Sequence, residues 1–562
     1  MRGSRTAQVQ TWGLIVERSY PRSVRHRISS VPRDRGNSCI LCQAGQLSGL
    51  QGIAPGRDLE VNPTFTASRT DQRVGLPAGE MRSGAEQGEL GLNARWGITP
   101  NLSLNATLNP DFSQVEADVV ELTVNQRFAV FYPEKRPFFL EGADIFQTFG
   151  QLVFTRTVID PIGGFKLTGK EGGHAFGTFL TQDRVNALVF PANQRSRSTL
   201  LNEEVTTGVL RYRRDVGQAS TVGMLYTGRG GEGYQNHVAG VDALLRLSRS
   251  NTFRAQLLRS LTEYPDLVAA AQEQPEGLFG GNVLLAQLSH NSRRWNALAQ
   301  YQEIESGFRA DAGFVPRVDV RVLRGNAQRV VWGKPGDWYN RLAFTAFAER
   351  LTMQDGTLTD QGGWLSANYQ GARQTQANLG VGYNRRLYNG RLFDLLETQG
   401  FVEMRPSGRS FLRLSGRFGE EIDFANTRKA EIFQLSPGID LRLGRHLNLD
   451  FGHTLQRLST PEGAEIFEAN LTQARLVYNF STRAFVRGTL QYQDIQRNPE
   501  LCLAAVKPEQ QRVSSQLLFS YKVNPQTVML VGYSDNLLGE REFDLVRENR
   551  TFFLKLGYAW RL

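Results

Sequence analysis

NRTFFLKLGYAWRL, residues 549–562, alternates. Phe552, Leu554, Leu556, Tyr558, Trp560 and Leu562 share one parity, and Phe553, Lys555, Gly557, Ala559 and Arg561 share the other. Successive side chains of a β-strand point to opposite faces, so this stretch reads as a strand with one apolar face and one mostly polar or small face. The same reading holds upstream. Leu447, Leu449, Phe451 and Leu455 alternate with Asn448, Asp450, Gly452, Thr454 and Gln456. Ile439, Leu441 and Leu443 alternate with Asp440, Arg442 and Gly444, and the two strands meet at the tight turn Gly444-Arg445-His446. Ala484, Val486, Gly488, Leu490 and Tyr492 repeat the pattern. So do Leu90, Leu92, Ala94 and Trp96, joined through Thr99-Pro100-Asn101 to Leu102, Leu104, Ala106 and Leu108.

The connections fall into two lengths. Short ones include Asn524-Pro525-Gln526, Phe480-Ser481-Thr482, Pro406-Ser407-Gly408 and Ser248-Arg249-Ser250-Asn251. Long polar ones are expected at 535–550, 494–511, 457–466, 420–431 and 261–278. Tight turns at one end and long loops at the other predict an all-β fold, a large antiparallel transmembrane β-barrel of about 22–26 strands. The sheet must close, because an open edge would leave backbone N–H and C=O groups without partners in lipid. A soluble structural β protein would not sort its loops by length, and a propeller would repeat every ~40–50 residues, which this sequence does not. Tyr558 and Trp560, on the apolar parity near the terminus, suit an aromatic girdle. Aromatic residues at alternating positions are the usual ending of bacterial outer-membrane barrels, although the last residue here is Leu562 rather than the commoner Phe.

Composition narrows the function. The 562 residues carry a formal net charge of +10, mostly as arginine. No dense basic cluster of the kind that binds nucleic acid occurs, so no nucleic-acid partner is expected. No run of 18 or more apolar residues occurs, which leaves no transmembrane helix. The Arg-rich front of the chain has no continuous apolar core of a secretory signal. The three cysteines exclude a disulfide scaffold, and Cys39-Ile40-Leu41-Cys42 lacks the second ligand pair of a zinc site. No metal and no cofactor is implied.

A different stretch, FYPEKRPFFLEG at 131–142, crowds aromatic, charged and proline residues together. With NPDFSQVEAD at 109–118 it resembles the hallmark of a family of bacterial outer-membrane proteins of unknown function. GQLSGLQGIAPGRDLEVNPT at 45–64, FKLTGKEGG at 165–173, YQNHVAGVDALLRL at 234–247 and GFRADAGFVPR at 307–317 match it as well. The resemblance implies a signal peptide, then a β-sandwich similar to family-nine carbohydrate-binding modules, then a long barrel domain. By that pattern the sandwich and signal are expected to be missing here, with only Trp12-Gly13 resembling the junction after the module. The expectation is a chain shortened at its front: an irregular remnant at 1–44 and a barrel domain at 45–562. The location implied is the bacterial outer membrane and its lipid, with a glycan as a possible partner through the module in full-length relatives. Oligomeric state is not legible.

Phe131, Tyr132, Phe138 and Phe139 need a dry or stacked environment, while Glu134, Lys135, Arg136 and Glu141 need partners or water. Pro133 and Pro137 deny the segment a continuous ladder. The lumen of a wide barrel meets all three demands, so residues 109–150 are expected to fold inward as a plug or constriction. Asp111, Glu116, Asp118, Glu134, Lys135, Arg136 and Glu141 are its candidate lumen residues. Further on, Gly307–Asp311 is expected in an exposed loop between strands ending near Glu303 and starting near Asp319, where Arg309 and Asp311 would pair over the pore mouth.

Three classes of function follow: a barrel acting as transport conduit, receptor or surface anchor; an outer-membrane hydrolase of surface glycan or lipid; and a soluble structural β protein. Glu116 with Glu134, or Glu134 with Glu141, are the carboxylate pairs a glycoside hydrolase would need. None of the six histidines sits in a G-x-S-x-G or H-E-x-x-H context, and no catalytic residue is assigned. Gly228–Gly233 and Gly169–Gly173 open no helix after a parallel strand, so they read as turns and loops rather than phosphate sites.

Overall fold

A computed structural model of the chain describes residues 9–21, 25–34, 40–51, 59–99, 101–110, 124–217, 219–524 and 526–561. Among these, twenty-four long strands form one closed antiparallel barrel, from Leu59–Arg73 to Phe543–Gly557. Neighbours in the wall are neighbours in sequence, and the barrel closes where Asn549–Gly557 pairs with Gln72–Thr64. Two-residue strands at Met81–Arg82 and Trp560–Arg561 extend it. Among the described residues, helix is confined to short pieces such as Pro137–Leu140 and Asp266–Ala271, and none is long and apolar enough to cross a membrane. Twenty-four strands about 4.8 Å apart and tilted ~40° enclose a ring roughly 45–50 Å across, backbone to backbone.

The alternation seen in sequence is the inside–outside code. Leu90, Leu379 and Leu365 are 75%, 64% and 62% exposed on the outer face. Their pairing partners continue the row: Leu365 lies opposite Val381, and Leu379 opposite Gly400. Such a band costs free energy in water and gains it in hydrocarbon. At the short-turn end the band is rimmed by Trp96, Trp295, Trp338, Tyr478, Phe480, Tyr521, Tyr558 and Trp560, all exposed. Amphipathic rings favour that interface.

Loop lengths are sorted by end, with one correction. The connections 74–86, 109–160, 184–204, 264–278, 305–319 and 498–508 all lie at one end. That end also carries tight turns, at 232–233, 389–390 and 541–542. The loop expected at 535–550 is therefore two strands, Val528–Glu540 and Phe543–Gly557, and those expected at 420–431 and 457–466 shrink to 424–427 and 460–464. The physical reason is visible on the outer face. A tilted strand crosses an apolar band ~25 Å tall in about ten residues, but Arg391–Ser407 and Arg428–Leu443 run further. Beyond the band their outward positions are charged and cross-strand paired. Arg321 meets Glu303 at 2.9 Å, Arg385 meets Asp394 at 2.7 Å and Lys429 meets Glu420 at 2.6 Å. The end of apolar alternation marks the edge of the band, not the end of the strand.

The front of the chain, expected to be irregular, holds two short antiparallel pairs, Val9–Leu14 with Gly45–Gln51 and Glu17–Pro21 with Arg25–Ser29. The barrel itself begins at Leu59, later than residue 45.

Candidate functional site

The 109–160 connection joins Leu102–Leu108 to Pro161–Glu171, both of which meet it at the loop end. Its described part turns into the barrel. Phe139 and Phe146 pack edge-on against Phe179, whose side chain points inward from His174–Asp183, with ring centroids 6.3 and 5.4 Å away. Lys166, also inward-facing and 1% exposed, donates to the backbone carbonyls of Phe138 and Glu141. Arg95, near the turn end of its strand, reaches the Glu141 carboxylate at 2.9 Å. On the way back, Gln256 accepts from the Gly150 N–H at 2.6 Å, and the Asp183 carboxylate accepts from the Ile159 and Asp160 N–H groups at 2.6 and 2.9 Å.

The charged aromatic knot is mostly self-satisfied. Glu134 Oε1 accepts from the Lys135 N–H at 2.9 Å, the Arg136 N–H at 2.8 Å and Arg136 Nε at 2.8 Å. Its Oε2 accepts from Arg136 Nη2 and Thr155 Oγ1, both at 2.6 Å. Burial opposes the charge on Glu134, but the bonds from Arg136 and Thr155 outweigh it and hold the carboxyl below the usual range. Arg136 also donates to the carbonyls of Val158 at 2.6 Å and Thr155 at 2.5 Å, and its guanidinium lies 4.5 Å from the Phe139 ring. It therefore clasps the inward and outward limbs of the segment together. With Glu134 on Arg136 and Glu141 on Arg95, both carboxylates serve as ion-pair partners. Asp111, Glu116 and Asp118 lie outside the described residues, as does Cys39.

The 305–319 loop starts and ends where expected, between Trp295–Ile304 and Val320–Trp332. Two other expectations are overturned. The loop is not exposed: Arg309 and Asp311 are 4% and 5% accessible. Nor do the two pair with each other. The Arg309 guanidinium donates to Gln274 Oε1 at 3.0 and 2.8 Å and to the carbonyls of Ser306 and Phe308 at 2.8 Å. The Asp311 carboxylate accepts from Tyr234 at 2.8 Å and from Tyr264 at 3.0 Å. Residues 305–317 form no strand, so the strict alternation of an extended chain does not apply; Arg309 turns to Gln274, and Asp311 to Tyr234 and Tyr264. Burial raises the Asp311 carboxyl above the usual aspartate range despite the two phenol donors.

Arg229, within the glycine-rich stretch read as a turn, is 1% exposed. It lies on the strand Ser220–Gly231 and donates to the carbonyls of Ala187 at 2.7 Å, Asp311 at 3.0 Å and Thr157 at 3.3 Å. One guanidinium thus binds the hairpin 186–201, the loop 305–319 and the 124–160 segment to the wall. The last two also bond directly: Phe154 N–H donates to the Ala312 carbonyl and Phe314 N–H to the Gln151 carbonyl, both at 2.8 Å.

Two cavities border these inward elements. One of about 390 Å³ is walled by Phe149, Leu152, Gln300, Phe314, Arg317 and Arg324. The other, about 550 Å³, is lined by Arg413, Arg417, Gln434, Gln456 and Gln473 under Val124–Gln126. Among the described residues, no His, Cys, Asp and Glu side chains gather to hold a metal ion.

A family profile described as a domain of unknown function (DUF5916) matches residues 73–172, which include the inward segment and the strands on both sides of it. No curated protein matches the chain. Among solved structures, the chain is similar to the ferric enterobactin receptor PfeA of Pseudomonas aeruginosa, at 10% identity and a TM-score of 0.43, over 96% of this chain and 85% of that one. It is also similar to the siderophore receptor PirA of Pseudomonas aeruginosa, at 10% identity and a TM-score of 0.38, over 94% and 85%. The outer membrane protein OpdK of the same organism matches at 13% identity and a TM-score of 0.31, over 68% of this chain and 99% of that one. No ligand is carried over from likeness this remote.

Proposed function

We propose that the chain works in the bacterial outer membrane as a receptor or conduit for a polar solute, with residues 124–160 and 305–319 narrowing the bore. One observation carries this reading: the wall is apolar outside, and the described inward residues cover only part of a wide lumen. The inward faces of the strands from Leu358 onward carry Arg413, Asp440, Asp450, Arg475, Gln491 and Gln516, a lining that favours water. The amide and hydroxyl groups around the larger cavity suit a sugar, which keeps a glycan among the candidate cargoes. Glu134 and Glu141, held by arginines, support positioning of the segment rather than proton transfer.

Reconstitution in planar bilayers tests the reading. The wild-type chain is expected to form small conductance steps, and Arg136→Ala, which unclasps the segment, larger ones. A purified chain that is folded and monomeric in buffer with no amphiphile would overturn it.

A further inference from the structure

Three arginines from different parts of the chain converge on one carboxylate at the loop-side mouth of the bore. Arg317 Nη2 lies 2.6 Å from Asp360 Oδ2. Arg386 Nε and Arg127 Nη2 lie 3.4 and 3.6 Å from Asp360 Oδ1. Arg127 comes from the inward segment, Arg317 from the 305–319 loop, and Arg386 from the inward face of Gln376–Tyr388. The neighbouring acid, Glu421, is itself shared by Arg386 and Arg417, and Arg417 also meets Glu397 at 2.7 Å. Four guanidinium groups thus face three carboxylates.

The donors are not used up. Arg127 Nη1, Arg317 Nε and Arg386 Nε are buried and form no hydrogen bond among the described residues. A buried N–H with no acceptor costs about 1–3 kcal/mol, more on a charged group. Three of them around one point form a cluster of donors facing too few acceptors. Burial and the adjacent Arg386 and Arg317 push Arg127 down to about 10, against the pull of Asp360 and Glu421. Phe128 and Phe424 hold the Arg127 guanidinium by their rings at 4.8 and 5.5 Å. Arg317 lines the 390 Å³ cavity and Arg417 with Glu421 the 550 Å³ one, so the cluster stands between two solvent-sized spaces.

We propose that Arg127, Arg317 and Arg386 recognise an oxyanion, the phosphate or carboxylate group of a solute handled by this barrel. Planar guanidinium forks match both groups in geometry and charge. This rests on the receptor or conduit reading, and narrows its cargo to anionic solutes.

The test uses the full chain folded in detergent, with folding checked by its heat-modifiable gel shift. Sodium phosphate and sodium succinate are titrated calorimetrically at constant ionic strength, with sodium chloride as the control. Saturable binding of phosphate or succinate is expected, weakened about ten-fold or more in Arg127→Gln and in Arg386→Gln, as the loss of one charge-assisted bond implies. Arg457→Gln, on the outer face, is expected to bind like wild type. A folded barrel that binds neither anion, or whose affinity falls equally in Arg457→Gln, would overturn the proposal while leaving the conduit reading standing. A chain with no gel shift and no need of detergent would overturn the conduit reading itself.

Discussion

The wall from Pro161 to Thr352 and the wall from Leu358 onward obey one rule outside and two rules inside. Both present apolar side chains to the membrane. Inside, the first buries Phe179, Val209, Leu225, Val238, Leu258, Val283, Val320 and Leu351 against Phe146, Leu152 and Phe308. The second points Arg413, Asp440, Asp450, Arg475 and Gln491 into the bore. The difference follows from what each inward face meets. The first faces chain, namely residues 124–160 and 305–319, and so builds a globular core. The second stays polar along its lower course, and only near the loop end do Ile432, Leu458, Ala469 and Ile495 form a smaller core with Val124. The barrel is therefore packed along much of its bore in the first half and lined mainly by polar side chains in the second.

Substitutions on the two sides sharpen that contrast. Phe179→Ala, which empties the contact with Phe139 and Phe146, is expected to lose about 3–5 kcal/mol, read as a lower urea midpoint in detergent. Its counterpart Gln491→Ala is expected to stay within about 0.5 kcal/mol of wild type. Equal losses would dissolve the distinction between the halves.

Asp311→Asn comes next. It weakens the bonds from Tyr234 and Tyr264 and is expected to cost about 1–3 kcal/mol at neutral pH. Its pH dependence has a definite sign. The folded protein holds the Asp311 proton more tightly than the unfolded chain, because burial outweighs the help from Tyr234, Arg229, Tyr264 and Arg309. Between the ordinary aspartate range and the raised value, this group's contribution to stability grows as pH falls and declines as pH rises. The deficit of Asp311→Asn relative to wild type is thus expected to widen on acidification through that window. A deficit that narrows would show that Asp311 is stabilised as the anion.

Arg309→Ala removes the bonds to Gln274 and to the carbonyls of Ser306 and Phe308, with an expected loss of about 1–2 kcal/mol. The smallest effect is reserved for the outer belt. Arg457 is half exposed beside Glu468 and Glu465, and Arg457→Gln is expected to fall within about 1 kcal/mol of wild type.

Sequence alone carried the barrel because its signal is local. Leu554 beside Lys555 and Leu449 beside Asp450 each report which face is which, and that parity survives in the fold. Strand ends were harder to read, since Asp535, Arg547 and Arg550 look like loop residues yet pair across strands above the membrane band: Arg547 meets Asp535 at 2.8 Å and Arg550 meets Asp71 at 2.9 Å. The inward segment showed in its composition, but the clasp did not, because Arg136 acts on Thr155 and Val158, carbonyls with no residue code. Arg229 was missed for a related reason. Its partners lie in three separate connections, and nothing near Gly228 or Gly230 announces them. The cluster on Asp360 joins residues 127, 317, 360 and 386, a proximity only the closed sheet creates.

The claim beneath all of this is that outward positions sit in hydrocarbon and inward ones in water. Single cysteines along Glu465–Asn479, placed in a chain whose Cys39, Cys42 and Cys502 are changed to serine, test it in liposomes. Gln473→Cys and Arg475→Cys are predicted to react with a membrane-impermeant thiol reagent. Ala474→Cys and Leu476→Cys are predicted to resist it and to react with a lipid-soluble one. Uniform labelling of all four by the impermeant reagent would contradict the account.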